Sequence, residues 1–335
     1  MLLFAGNRSA PANVRLAVAD LEWYVPTSTN TRAAHPRKSN SLKVLQSADL
    51  KRVPWLVHGF TTRPGGITSI YGSRSLNLGF TKDDLRANVE RNRHAALIAA
   101  GAAGKGKPWP LITLRQVHSD IIHVVRSRKP DLLEPSFREQ SRQARFTGDG
   151  LVTDLRGVAL GILTADCFPV LLVDTKKKAI GAFHAGWRGT AKRIVEKGVG
   201  MMRLEFGSRP EDIHAAIGPG IQNCSFEVGE EVEEQFHSQF EYAAALFQRV
   251  QESDAVRERY PMLFMNQRAP GHGDPCIKVH LDLREANRRQ LLAAGVPEAN
   301  ITALKDCTVC QPRKFFSHRA ERGKTGRQMA LVGIK

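Results

Sequence analysis

The chain has 335 residues and a mass of 37.1 kDa, enough for one large core or two modest ones. Hydrophobic residues make up 42% and charged residues 24%, as in ordinary globular proteins, and no apolar run nears the roughly 20 residues that cross a bilayer. A membrane partner is therefore not expected, and "MLLFAG" is too short and lacks the basic lead of a secretory signal, so a cytoplasmic location is expected.

The formal charge is +16 and the pI near 10.0. Neither zinc-finger spacing nor an RNA-binding aromatic motif accompanies that charge. A solvated basic face or an anionic substrate is then favoured over specific nucleic-acid recognition. Five cysteines, an odd number, are scattered except for Cys307 and Cys310. They point to reduced thiols rather than a disulfide framework.

In chain order, "VPTSTNTRAAHPRKSNS" reads as a linker, which predicts an N-terminal arm over residues 1–45 and one catalytic domain over 46–335. Short β-like runs broken by glycine follow. "DDLRANVERNRHAALIAAG" predicts a helix with Leu85, Val89 and Ala96 on one face and Gly101 as its stop. "LITLRQVHSDIIHVVRS" predicts two strands around a bend at Ser119-Asp120, and a basic surface insertion is expected over 126–148. "VALGILTADC" and "FPVLLVD" are short, apolar and β-branched, as in strands buried on both faces.

"PVLLVD" and "AIGAFH", separated by "TKKK", predict a hairpin centred on Lys176-Lys177. In that register Asp174 faces Ala179, Val170 faces Phe183 and Pro169 faces His184. Residues directly opposite lie about 5 Å apart, so Cys167, just beyond the pairing, can share a small site with His184. A helix capped by Thr190 is expected next, with Ile194, Val195, Val199 and Met202 buried and Gly207 ending it. A further helix carries Val228, Val232, Phe236 and Phe240, and a second insertion is expected over 240–276. Asp282 and Glu285 then form a capping box. The sum is an α/β chain with mixed sheets.

A Cys beside a His admits three readings: a packed thiol next to a hydrogen-bonded imidazole, a thiolate nucleophile with its base, or a metal site. Zinc favours thiolate and imidazole, and three protein ligands leave a fourth position open. The third ligand is sought at His118, which ends an apolar run at a bend, as His184 does; His123 lies inside a strand. The "CTVC" pair, Cys307 and Cys310, lacks the second paired motif of a zinc module and ranks below this set.

The segments "RQVHSD", "LTADCFPVLLVD", "AFHAGWRGT", "IGPGIQNCSFEVGEEV" and "FFSHRAERGKTGRQMALVGI", preceded by "HGFTTRPGGIT" and "SLNLGF", occur in this order. Together they resemble the purine nucleoside phosphorylase family formerly called multicopper polyphenol oxidoreductases, the laccase-domain or YfiH/YlmD-like proteins. The resemblance implies an α-β-β-α sandwich of mixed sheets flanked by helices, distantly like cytotoxic necrotising factor. It also implies one zinc on His118, Cys167 and His184. The implied chemistry is phosphorolysis of adenosine, inosine, guanosine and methylthioadenosine, with deamination of adenosine, so purine nucleosides and phosphate are the expected partners. Homo-oligomerisation stays open. A laccase needs several coppers, and no cluster of His-x-His pairs offers to hold them.

Beyond the ligands, Asp166 is a candidate acid/base or an orienting group. Arg188, four residues after His184, is the first choice for a cation at the reacting centre. Arg63 and Arg319, beside glycine-rich or site-proximal segments, and Asn77 are candidates to bind substrate. Ser317-His318 stands where the resembling family more often has Ser-Tyr, which leaves any role of that tyrosine without a direct equivalent. The rival reading is a thiol hydrolase or amidase with Cys167 as nucleophile and His184 as base, including a role in peptidoglycan precursor editing. A basic polyanion-binding protein with a vestigial site is the non-enzymatic alternative.

Overall fold

Two sheets lie face to face because successive residues of their strands point to opposite sides and both sides are covered. The computed structural model describes residues 42–126, 146–251, 259 and 277–335. The expected arm and the two expected insertions lie mostly outside them. The six-stranded sheet runs Ile301–Ala303, Ile213–Ile217, Phe168–Asp174, Ala179–Ala185, Gly150–Thr153 and Ile122–Val124. Its outermost pairs on both sides are parallel and the inner ones antiparallel. The five-stranded sheet runs Val44–Leu45, Leu56–Thr61, Gln328–Ile334, Ala159–Thr164 and Leu111–Ile112, with one parallel pair at the last edge.

The alternation decides the layers. Leu171, Val173, Ile180 and Ala182 pack inward against Leu160, Ile162, Ala330 and Val332 of the other sheet. Their neighbours Val170, Leu172, Phe183 and Ala185 pack outward against Ile194, Val195, Val199 and Met202 of the helix Ile194–Phe206. On the far side Val57, Met329 and Leu331 pack with Ala96 and Leu97 of the helix Arg86–Ala100. The result is a mixed α/β sandwich with helices outside and sheets within. All described residues fall in one compact unit, Asn40–Lys335. Among them no helix is long and apolar enough to cross a membrane.

The central hairpin takes the expected register, with Asp174 opposite Ala179 and Pro169 opposite His184. Asp174 Oδ1 accepts the N–H groups of Lys176 and Lys177, both at 2.8 Å, which ties the polar turn shut. The helix Leu283–Ala293 starts as expected, Asp282 accepting the N–H of Glu285.

The helix expected from Thr190 is instead two, Trp187–Ala191 and Ile194–Phe206. Arg193, at φ 63°, breaks them apart, and the buried Thr190 donates its hydroxyl to Asn287 Oδ1 rather than capping. Leu85, expected on a buried face, precedes its helix and is 72% exposed.

Candidate functional site

The strand Ala179–Ala185 ends at His184 and Ala185, and the strand Phe168–Asp174 begins one residue after Cys167. The hairpin register therefore brings the two side chains to one end of the sheet. His118 arrives there from the bend between Leu111–Ile112 and Ile122–Val124. One donor atom each from His118, Cys167 and His184 lies within 4.8 Å of the other two. Cys167 Sγ is 3.8 Å from His118 Nε2, and the two imidazole centroids are 4.9 Å apart. His123 is directed elsewhere, its Nε2 3.0 Å from the carbonyl of Thr147.

The group is assembled by Asp149, which immediately precedes the strand Gly150–Thr153. Its Oδ2 accepts the N–H of Val117 at 3.2 Å, and the N–H and hydroxyl of Ser119 at 2.6 and 2.7 Å. Its Oδ1 accepts the N–H of His118 at 3.1 Å and lies 2.8 Å from His184 Nδ1. One buried carboxylate thus fixes both the bend that carries His118, where φ is 59°, and the ring of His184. A left-handed non-glycine residue persists only where its surroundings hold it, and Asp149 supplies that hold. With Nδ1 engaged, Nε2 is the His184 atom left for a metal.

Burial alone would push Asp149 up, but its bonds to His184 and Ser119 outweigh this and hold it at about 2. Burial also opposes the Cys167 thiolate, yet the charge of His184 and the bonds of both histidines bring the thiol down to about 6. Conversely, burial opposes the His184 cation, while the Cys167 thiolate and Asp149 raise the imidazole to about 9. The two histidines and Asp149 thus favour the thiolate–imidazolium form of the pair against the opposing effect of burial. Gly186 keeps the space open: a Cβ there would sit 2.9 Å from Cys167 Sγ and 3.0 Å from His118 Cδ2.

The donors face a cavity of about 530 Å³ whose wall includes Gln116, Thr164, Trp187, His318, Arg319 and Arg327. That volume suits a small organic ligand. Gln116 exchanges two hydrogen bonds with the backbone of Leu163, at 2.7 and 2.8 Å, which anchors the "QVH" segment to the five-stranded sheet. Thr164 Oγ1 is buried and has no partner among the described residues.

Asp166 also lines the cavity, but its carboxylate oxygens accept the Thr308 hydroxyl at 2.6 Å and the Arg319 N–H at 2.7 Å. Its φ of 94° is again left-handed, and its carbonyl accepts the N–H of Ile221. These bonds engage both oxygens of the carboxylate beside Cys167.

The remaining candidates divide. Arg319 is on the cavity wall, with its guanidinium bonded to the carbonyl of Glu227. Arg188, Arg63 and Asn77 do not line the cavity. Arg188 is exposed and stacks 4.2 Å from the Trp187 ring centroid, because the short helix turns it away from His184. Arg63 bonds the carbonyls of Pro312 and Tyr71, pairs with Glu321 at 2.9 Å and covers the Phe316 ring, so it positions the loop that bears His318 and Arg319. Asn77 Oδ1 accepts the N–H groups of Gly79 and Arg327, placing the latter against the cavity.

Asp149, Thr308 and Arg327 were not singled out by the sequence. Arg327 is half-buried, and burial lowers its pKa despite the partly opposing charges of Tyr71, Cys167 and Asp166. Its Nη1 donates to the carbonyls of Thr325 and Gly326. The only local signal for it was the glycine-rich "RGKTGRQ" ahead of the last strand.

The model of the family described as multi-copper polyphenol oxidoreductase laccase matches residues 57–335. A purine nucleoside phosphorylase of Deinococcus radiodurans is 37% identical over 287 residues, 85% of this chain and 92% of that protein. A protein named adenosine deaminase, from an unknown prokaryotic organism, is 37% identical over 212 residues, 62% of this chain and 69% of its own length. The crystal structure of the hypothetical protein YfiH of Bacillus licheniformis superposes with a TM-score of 0.71 at 30% identity, covering 89% of this chain and 98% of that one.

Proposed function

The chain belongs to the multi-copper polyphenol oxidoreductase laccase family, and on that footing we propose that it is a zinc-dependent, cytoplasmic purine nucleoside phosphorylase that also deaminates adenosine. The observation that carries the reading is the convergence of His118, Cys167 and His184 on the wall of a ligand-sized cavity. The names of the relatives supply the reaction class. One thiolate and two imidazoles suit zinc, and three protein donors with an open side match the pattern of catalytic rather than structural zinc. Among the described residues the other ligand cluster contains only cysteines, which does not suit the several coppers of a laccase.

His118, Cys167 and His184 would hold the ion, and when bound it would supply Lewis acidity to the purine or to water. The chain's own groups do the rest. Asp149 keeps His184 Nδ1 engaged and the ring aimed. Asp166 holds the loops of Thr308 and Arg319 in register beside Cys167. For phosphorolysis the cavity must bind an anion, and the half-buried Arg327, with Arg319 on the same wall, meets that need better than the outward Arg188. The unpartnered Thr164 hydroxyl and His318 are placed to meet polar atoms of a nucleoside.

Incubating the metal-replete protein with adenosine, with and without phosphate, tests the reading. Adenine formed only with phosphate and inosine formed under both conditions are the expected products. An Arg327→Met variant should raise the KM for phosphate at least tenfold while leaving inosine formation largely intact. Turnover of neither kind would end the proposal, and amide hydrolysis by the metal-free protein would favour the rival thiol hydrolase.

A further inference from the structure

A second group of soft donors lies outside the cavity. The strands Ile213–Ile217 and Ile301–Ala303 are parallel neighbours, so the loops after them leave the same end of the sheet. The pairing continues as a bridge between Gly220 and Cys307, with the Thr308 N–H donated to the Gly220 carbonyl. This carries the turn holding Cys224 onto the "CTVC" turn, where a third sulfur joins Cys307 and Cys310 from 86 residues before Cys310.

The three sulfurs lie within 4.8 Å of one another, and Cys224 Sγ is 3.5 Å from Cys310 Sγ. Ser225 Oγ sits among them, at 3.4 Å from Cys224 and Cys310 and 3.7 Å from Cys307. Burial opposes a Cys307 thiolate, but the backbone at Gln222 and Cys310 and the Ser225 hydroxyl outweigh it and lower the thiol. Thiolates sharing a tetrahedral ion at about 2.3 Å stand roughly 3.8 Å apart, close to the 3.5 Å between Cys224 and Cys310. All four described cysteines carry free thiols.

We propose that Cys224, Cys307 and Cys310 form a second, structural site for a thiophilic d¹⁰ cation of the zinc type, separate from the site at His118, Cys167 and His184. None of the three cysteines lines the cavity. Cys224 and Cys310 are exposed, so the ion enters from solvent, and water or the Ser225 hydroxyl completes the coordination. Binding releases the thiol protons to solvent as three sulfur–metal bonds form. The ion fastens two loops whose inner sides both hold Asp166, through Ile221 N–H and the Thr308 hydroxyl.

Zinc stoichiometry of the full chain, purified under reductant, tests this by elemental analysis. About two ions per chain are expected for the wild type, about one for Cys224→Ser/Cys310→Ser, about one for His118→Ala, and almost none when all three changes are combined. Cobalt loaded into His118→Ala, which keeps the three cysteines intact, should still give thiolate-to-cobalt charge-transfer absorption in the near ultraviolet. That absorption should vanish when Cys224 and Cys310 are replaced as well. A wild-type chain that binds a single ion, lost entirely in His118→Ala, would overturn the proposal. So would a Cys224–Cys310 disulfide mapped in the zinc-treated, reduced protein.

Discussion

The two sulfur-bearing clusters contrast in how they are held. His118, Cys167 and His184 mix one thiol with two imidazoles, and a single buried carboxylate, Asp149, aims the assembly into a cavity. Cys224, Cys307 and Cys310 offer only sulfur, gather round the Ser225 hydroxyl, and reach solvent at Cys224 and Cys310 while Cys307 is buried. The first arrangement accepts a strained bend and ionised groups in exchange for an open coordination side. The second lies outside the cavity and faces solvent through Cys224 and Cys310. Donor type and what the open side faces, rather than the presence of cysteine, separate a reactive site from a fastening.

Replacing Asp149 should break the contrast most severely. Asp149→Ala leaves three N–H groups, the Ser119 hydroxyl and His184 Nδ1 without their acceptor. Zinc affinity at the first cluster should fall by about 10–100-fold or more, and stability by on the order of 3 kcal/mol. Chelator competition and urea unfolding measure the two effects, and an unchanged affinity would remove Asp149 from its assembling role.

Gly186→Ala acts on the same cluster by volume. The added methyl must displace Cys167 Sγ or His118, so about a tenfold loss of zinc affinity is expected at a stability cost of about 1–3 kcal/mol. The cysteine cluster should keep its ion.

Thiol alkylation of the metal-stripped protein sharpens the electrostatic side. Cys167, lowered to about 6 against its burial by the two histidines, should alkylate at a rate that is flat above that pH and falls as acid protonates the thiolate. Cys224, raised to about 11 by burial and its sulfur neighbours, should react slowly until the pH climbs toward that value. Mass-resolved labelling from pH 5 to 10 follows both, and coincident profiles would erase the distinction.

The smallest effect is expected at the link between the clusters. Thr308→Val removes the hydroxyl bond to Asp166, costing about 1 kcal/mol. A several-fold fall in kcat with unchanged zinc content is the expected readout.

How much of this the sequence disclosed follows from the range of each contact. The hairpin was legible because apolar period and a lysine turn are local, and its register alone put Cys167 beside His184. The placing of His118 with them rested on family resemblance. Asp149 left no mark because its partners lie 30 to 35 residues away in a bend and a strand. Arg188 looked apt by nearness to His184 along the chain, but a short helix turns it onto Trp187. Arg327, 160 residues beyond Cys167, reaches the cavity instead, on the loop ahead of the last strand. The "CTVC" pair looked solitary because its third sulfur depends on parallel strand pairing.

X-ray absorption at the zinc edge of the full-length Cys224→Ser/Cys310→Ser variant is the most direct test of the central claim. The account predicts one sulfur at about 2.3 Å and imidazole nitrogens at about 2.0 Å, with the outer-shell scattering of two histidine rings. A protein that binds no zinc, or a shell lacking sulfur or imidazole, would contradict it.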